Sequence, residues 1–276
     1  MKKKNENKNI LISVIMSEYN TDEHLLRESI ESILKQTYKN IELVLIDDCG
    51  KNDVSKIAKE FNDDRIKVYR NEKNSGLVYS LNKSLELAKG EYVARMDTDD
   101  YSYNDRIEKQ VKFILEHPEY TVVGTNADFY DGENITGRSY RHGEVDRKQV
   151  LNGNVLIHPS IMARKEAFLA VGGYPDYKRC EDYAMWIKLF VNGYKMYNMD
   201  DVLLRYHVSK DDYNKRTLKT RKGFFQLLKG DYKNLNPSKK QLLKMYTKTF
   251  IAGVIPPKVM YFIKKKRGVK YEKKTD

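Results

Sequence analysis

The sequence predicts an α/β fold with a mostly parallel central sheet flanked by helices, plus a basic helical C-terminal extension. Three observations lead there. Over the first hundred residues, short apolar runs rich in β-branched residues alternate with segments of helical period. Those runs are apolar throughout rather than alternating, as strands buried on both faces are. The formal charge of +12 is concentrated at one end: residues 208–276 hold 20 Lys and Arg against 5 Asp and Glu, a balance of +15, which leaves −3 for residues 1–207.

Ile10 to Met16 reads as a buried strand, and Leu26, Ile30, Ile33 and Leu34 follow at helical spacing. Ile41 to Ile46 is a second strand, and Val54, Ile57, Ala58 and Phe61 mark a second helix. Ile66 to Tyr69 is a short third strand; Leu77, Leu81, Leu85 and Ala88 mark a third helix that Gly90 is placed to end. Tyr92 to Met96 is a fourth strand. Beyond about residue 118 the rhythm changes. Thr121 to Tyr130 reads as a strand, Asp131 to Gly143 as a loop, Glu181 to Val191 as a helix carrying Trp186, and Val202 to Val208 as a strand, making a less regular half of the same domain. From about Asp211 amphipathic stretches follow, interrupted by Pro237 and Pro256-Pro257. The expected division is a domain over residues 1–210 and a basic helical tail over 211–276.

With 276 residues, 40% hydrophobic and 33% charged, the chain can bury a sizeable core, and global disorder is excluded. Two cysteines, Cys49 and Cys180, are too few for a disulfide framework or a cysteine zinc site and fit a reducing compartment. No run reaches the ~18 apolar residues of a membrane span, and the polar, basic stretch from Met1 to Lys8 does not read as a secretory signal. Because the basic charge lies in the last quarter, a tail meeting an anionic surface is favoured over a nucleic-acid-binding face on the main domain.

In an open parallel sheet, ligands bind beyond the C-terminal strand ends. Those ends read Ser17-Glu18-Tyr19-Asn20, Asp47-Asp48 and Asp97-Thr98-Asp99-Asp100, so acidic groups gather along one edge. Asp after a strand often caps a helix or makes a turn, and Asp47-Asp48 fits that reading as well as it fits a site. Three carboxylates within four residues repel one another, and a hard divalent cation would relieve them. The chain has no Gly-x-Gly and no Gly-x-x-x-x-Gly-Lys phosphate loop. Carboxylates can instead hold Mg²⁺ or Mn²⁺ as a bridge to a diphosphate, which suits an enzyme with a nucleoside diphosphate as leaving group.

Ile12-Ser13-Val14-Ile15-Met16-Ser17-Glu18-Tyr19-Asn20 resembles the opening of bacterial family 2 glycosyltransferases. The match continues through Ser32-Ile33-Leu34-Lys35-Gln36-Thr37, Glu42 to Asp48, Asn74-Ser75-Gly76 through Asn82, Gly90-Glu91-Tyr92 and Asp97 to Asp100. His158-Pro159-Ser160, Gly172-Gly173-Tyr174 and Glu181-Asp182-Tyr183 with Trp186 complete it, over roughly residues 10–208. The resemblance implies a GT-A fold and an inverting transfer from a nucleotide sugar, with uridine diphosphate sugars as the leading donors. Carried over, Asp48 would contact the base, with Ser17, Glu18 and Tyr19 lining the same pocket and Asn74 and Gly76 among the nucleotide-sugar-binding residues. Ser17 and Glu18 stand where many relatives carry Pro and a small or apolar residue. Asp97 would sit near the ribose and at the metal, Asp99 would ligate Mn²⁺ or Mg²⁺, and Asp100 would lie beside them. Asp182 would be the general base, with Glu181 adjacent, taking a proton from an acceptor hydroxyl in one inverting displacement.

Plainer readings stand beside these. Asp182 fits a helix N-cap by spacing. His207 follows a strand and either completes the metal site or bonds to backbone. His158 reads as structural or as lining the acceptor side, Trp186 as core, and Arg106 as pairing with an acid on a helix surface. Cys49 would lie near the nucleotide. The Lys264 to Arg267 run, with the aromatic and aliphatic residues before it, suits an interfacial helix on an anionic bilayer. By resemblance, acceptors are saccharides or lipid-linked saccharides, the pathway is surface polysaccharide assembly, and the protein is cytoplasmic and peripheral on the inner membrane face. A sugar nucleotidyltransferase shares the sheet and metal but needs a Gly-rich basic loop that Ser17 to Thr21 lacks. A basic nucleic-acid-binding protein is the other alternative, and no nucleic acid is expected as partner.

Overall fold

The computed structural model describes residues 9–209 and 217–256. The boundary expected at residue 210 and the Lys264 to Arg267 run lie outside the described residues.

The first half follows the expected alternation closely: β1 (Ile12–Glu18), α1 (Glu23–Leu34), β2 (Ile41–Asp47), α2 (Val54–Glu60), β3 (Ile66–Arg70), α3 (Leu77–Leu87) and β4 (Tyr92–Arg95). Local chemistry starts the helices. Asp22 accepts from the His24 and Leu25 N–H groups, and Asp53 accepts from Lys56 N–H. The third helix ends at Leu87, before Gly90. Gly90 serves a close approach instead: a Cβ there would lie 2.6 Å from the Leu11 carbonyl oxygen.

The second half holds β5 (Tyr101–Ser102), α4 (Arg106–Glu116), β6 (Tyr120–Tyr130), β7 (Ile135–Arg138), β8 (Gly143–Glu144) and α5 (Arg147–Asn152). It continues with β9 (Met162–Arg164), α6 (Lys165–Ala170), α7 (Glu181–Val191) and β10 (Lys195–His207). After it come α8 (Lys222–Lys229) and α9 (Lys239–Val254). Two expectations need correcting. The loop expected from Asp131 to Gly143 contains β7, whose Asp128–Arg138 register pairs it antiparallel to β6. The last strand begins at Lys195 rather than Val202, with irregular register against β6 around Asn198 to Leu204.

The sheet runs β3-β2-β1-β4-β9-β6-β10-β5, with β7 and β8 attached to β6 and β10. Its first four strands are parallel, as is the β6–β10 pair; β9 inserts antiparallel between β4 and β6, so the sheet is mixed. Strand alternation splits the core in two. Ile12, Val14 and Met16 pack with Leu26, Ile30, Val54, Ile57, Ile107 and Val111 of α1, α2 and α4. On the other face Ile15, Val44 and Ile46 join Leu81 and Leu85 of α3, Trp186 of α7, Leu227 of α8 and Met245 of α9. The C-terminal segment therefore contributes to the main core.

Arg106 corrects the expectation of a surface ion pair. It is fully buried, and its guanidinium donates to the Arg95 carbonyl at 2.8 Å, the Ile161 carbonyl at 3.2 Å and Gln110 Oε1 at 3.1 Å. Burial pushes it down to about 9. It ties the end of β4 to the 158–161 turn and α4, just behind the acidic segment.

Candidate active site

Three strands deliver side chains to one edge. At the end of β2, Asp47 Oδ1 accepts from the Cys49 N–H at 3.0 Å, and Oδ2 accepts from Arg70 Nη1 at 2.5 Å. Asp48 Oδ1 accepts from Asn71 Nδ2 at 2.7 Å and Ser75 N–H at 2.8 Å, and Oδ2 from Gly76 N–H at 2.8 Å. The Asp48 carboxylate thus shapes the 71–76 loop at the start of α3, which places Asn74 and Gly76 on the same edge. At the end of β1, Ser17 is partly exposed, and Tyr19 just beyond it is half exposed. Glu18 departs from the expected pocket lining. It is fully buried, and its Oε1 accepts from Thr21 N–H at 3.0 Å and Asn52 Nδ2 at 2.8 Å, stitching the β1 and β2 ends together. Burial raises its carboxyl above the usual range.

Beyond β4 the acidic segment divides its duties. Asp97 is clamped by both terminal nitrogens of Arg95, with Nη1 at 2.6 Å from Oδ2. Arg95 was not anticipated as a site residue; its only signal is a charge inside an otherwise apolar strand. Burial raises Asp97, while Arg95 opposes the shift. Asp99 Oδ2 lies 3.4 Å from His207 Nδ1 at the end of β10. The His207 N–H donates to Asp100 Oδ1 at 2.8 Å, and Asp100 Oδ2 is buried without a hydrogen-bond partner. Burial pushes Asp100 well above the ordinary carboxylate range.

This arrangement bears on the expected cation. Two ligands each ~2.1 Å from a metal at a right angle stand ~3 Å apart. The Asp99–His207 separation fits that spacing, and the orphaned Asp100 oxygen adds an unneutralised group nearby. Asp97, also expected at the metal, is taken up by Arg95. Among the described residues no set of three His, Cys, Asp or Glu side chains gathers at one metal position. The fit is to a two-ligand site, as Mg²⁺-type ions use when substrate phosphates supply the rest.

Across the edge stands the N-terminus of α7. Asp182 is the second residue of that helix rather than its N-cap, which is Cys180. Its Oδ1 accepts from Tyr183 N–H at 2.6 Å, and Oδ2 accepts from Asn154 Nδ2. Withdrawal from water raises Asp182, and its charge adds to the upward push on Asp97. Glu181 is buried and pushed up to about 7, first by desolvation and then by Asp182. His158 and Trp186 are core: His158 Nε2 meets the Tyr174 hydroxyl at 2.8 Å and its ring packs on Trp186, with burial holding the imidazole well below its usual range. Cys49 sits at φ 60 beside Asp48, with Arg70 Nη2 3.7 Å from its sulfur.

The sequence profile described as glycosyl transferase family 2 matches residues 13–172, which includes the three acidic strand ends. The chain belongs to glycosyl transferase family 2. Among relatives, this glycosyltransferase is 38% identical to the Bacillus subtilis protein named as glycosyltransferase EpsE, over 75% of this chain and 76% of that one. It is 32% identical to the O-antigen biosynthesis glycosyltransferase WbnJ of Escherichia coli, over 78% and 85%. Solved structures share the GT-A fold. Residues 1–349 of TarS from S. aureus, in complex with UDP-GlcNAc, superpose with a TM-score of 0.65 at 19% identity, covering 86% of this chain and 70% of that one. The mannosyltransferase PcManGT from Pyrobaculum calidifontis, in complex with GDP-Man and Mn²⁺, gives 0.61 at 17% identity, over 91% and 78%.

Proposed function

We propose that this glycosyltransferase moves a sugar, with inversion, from a UDP-linked donor to a hydroxyl of a saccharide or lipid-linked saccharide in cell-surface polysaccharide synthesis. The observation that carries the reading is Asp182, an oriented carboxylate raised by desolvation and near enough to the acidic segment that its charge acts on Asp97. A raised carboxylate is a stronger base, and Asn154 and the Tyr183 N–H hold it in one orientation. Asp182 takes the acceptor hydroxyl proton as that oxygen bonds to the anomeric carbon; the bond to the nucleoside diphosphate breaks, and its electron pair leaves with the phosphate. Arg95 holds Asp97 toward the ribose, and Asp48 sets the loop against the base. Asp99 and His207 would hold Mn²⁺ or Mg²⁺, whose chemistry there is to neutralise charge on the departing diphosphate. The UDP-GlcNAc and Mn²⁺ complexes of the structural neighbours and the O-antigen relative support this reading.

The C-terminal extension extends it to an anionic membrane face. Leu243, Phe250, Ile251 and Val254 of α9 are about half exposed or more, and the sequence that follows is rich in Lys. No helix among the described residues is long and apolar enough to cross a membrane. Deleting residues 211–276 would remove core side chains such as Leu227 and Met245, so Phe250→Ser with Ile251→Ser is the better probe; unchanged sedimentation with anionic vesicles would end the membrane reading.

The central test is a thermal-shift panel of nucleoside diphosphates with and without Mn²⁺, followed by anomeric analysis of the product by NMR. A Mn²⁺-dependent shift with UDP and an inverted product are expected. A retained anomeric configuration would refute the single-displacement mechanism.

A further inference from the structure

Strand β4 ends on a cation. Tyr92, Val93 and Ala94 lead into Arg95, and all four are buried, in a setting where an unpaired ion is costly. The backbone of Arg95 is fixed on both sides: its N–H donates to the Ile161 carbonyl at 3.0 Å, and its carbonyl accepts from Arg106 Nη2 at 2.8 Å. Both terminal nitrogens of its side chain go to Asp97, and Nε is buried without a partner. Within this pair the cation lies behind the carboxylate, with side-chain exposures of 4% and 30%. Water therefore screens Arg95 poorly, and its field reaches beyond Asp97.

Asp182 stands in that field. Desolvation raises its carboxyl; the Tyr183 N–H and the Asn154 amide oppose the rise, and Arg95 is the strongest charge that does so. The other groups around Asp182 come from several elements. Asp97 and Glu181 repel it. Cys180 and Tyr174 are neutral groups that its charge pushes further up. Arg141, a partly exposed cation, answers it from the opposite side. Arg95 also opposes the upward push on Glu181 and Asp100. One buried cation thus acts on four carboxyls, Asp97, Asp100, Glu181 and Asp182, and among the described residues Asp97 alone is hydrogen-bonded to it. Arg106, the other buried guanidinium nearby, bears on Asp100 and spends its donors on carbonyls and Gln110.

We infer that Arg95 is a positioning residue for the transfer, a single buried counter-charge that orients Asp97 on the donor side and holds the base Asp182 in its ionised form. The role rests on the reading of Asp182 as the base of a transfer. A desolvated carboxylate with no cation near it takes up a proton from water, and can then accept none from an acceptor hydroxyl. Arg95 lets Asp182 be withdrawn from water and still stay charged. The fork and the charge are separable duties: a lysine at this position keeps the charge and loses the two-pronged grip on Asp97.

A pH titration of the full chain, labelled at its aspartate carboxyls and followed by carbon NMR, tests this without donor or acceptor. Loss of one signal in Asp182→Asn assigns the base. Arg95→Gln should move the Asp182 midpoint up by about one pH unit. Asp97→Asn removes the competing carboxylate and frees Arg95, so it should move the midpoint down. Arg95→Lys, which keeps the charge, should stay near wild type. Opposite shifts from the two halves of one ion pair mark a charge effect, because a disturbed fold has no reason to reverse sign. If Arg95→Gln does not fold, Asp97→Asn still decides. A midpoint unmoved by both variants, or moved the same way by both, overturns the inference. An Asp182→Asn chain that releases UDP from UDP-GlcNAc at the wild-type rate, with the expected shifts present, removes the base assignment and leaves the shared counter-charge in place.

Discussion

The two sides of Asp182 carry opposite charge and handle it differently. On the strand-end side, several carboxylates are satisfied one at a time: Asp47 is neutralised by Arg70 and Asp97 by Arg95, and Asp48 is hydrogen-bonded by Asn71 and two backbone N–H groups. What is left open is small: Asp99 with His207, one oxygen of Asp100 and one of Glu18. On the other side a cavity of about 540 Å³ is lined by Arg141, Lys148 and Lys248; the backbone carbonyls of Asn154 and Asn152 hold Arg141 and Lys248, and Asp182 is the acid whose charge acts on Arg141. A folded chain tolerates clustered like charge either by internal pairing or by leaving it for a ligand. The acidic edge does mostly the first, and the basic cavity leaves Lys148 and Lys248 exposed to solvent. Asp182 lies where the two meet.

Asp182→Asn should have the largest effect. Losing a general base costs about 10²- to 10⁴-fold in rate, so kcat should fall by that range while the UDP plus Mn²⁺ thermal shift is kept. A matching loss of nucleotide binding would place Asp182 on the donor side instead. Next comes Glu181, whose folded carboxyl is pushed to about 7 from a reference of 4.5. A raised carboxyl stabilises the fold fully below its unfolded value and loses that contribution as pH climbs through 7. At ~1.4 kcal/mol per unit, the loss across this window is about 3 kcal/mol. Glu181→Gln should therefore flatten the decline in urea stability between pH 4.5 and 8; an unchanged slope would contradict the burial argument.

Asp99→Ala should break only the acidic side. Nucleotide affinity in Mn²⁺ should drop tenfold or more, and affinity in EDTA should not change. If affinity in EDTA falls as well, Asp99 acts on the nucleotide without the metal. The smallest effect belongs to Gly153→Ala, where the left-handed backbone and the nearby Lys248 both resist a side chain; a stability loss of about 1 kcal/mol is expected. Its Mn²⁺-dependent nucleotide shift should be untouched, which calorimetry can check.

The first half of the fold was legible because its central parallel strands, buried on both faces, leave continuous apolar runs, and the helices between them keep their period. The second half was harder. Strand β7 is Ile-Thr-Gly-Arg on a partly exposed edge, too short and polar to stand out from a loop. The start of β10 mixes Lys, Asn and two Asp with apolar residues where its register shifts. Arg106 sits on an amphipathic helix and reads as surface, because nothing in the local sequence shows that the Arg95 and Ile161 carbonyls converge on it.

By itself, the sequence determined the strand ends, the acidic pairs and triplet that follow them, and the basic end of the chain, since these depend on local period and local charge. The roles given to the motifs from Asp48 to Asp182 came instead from the resemblance to family 2 glycosyltransferases. Which of those groups stay available was decided only by the tertiary structure. Arg95 takes Asp97, the 71–76 loop takes Asp48, and Glu18 turns inward to bridge two strand ends. Lys248 reaches Asn152, 96 residues away along the chain, to close a cavity no sequence pattern marks. Charge availability is a property of neighbours in space, and those neighbours exist only once the sheet, α7 and α9 have packed together.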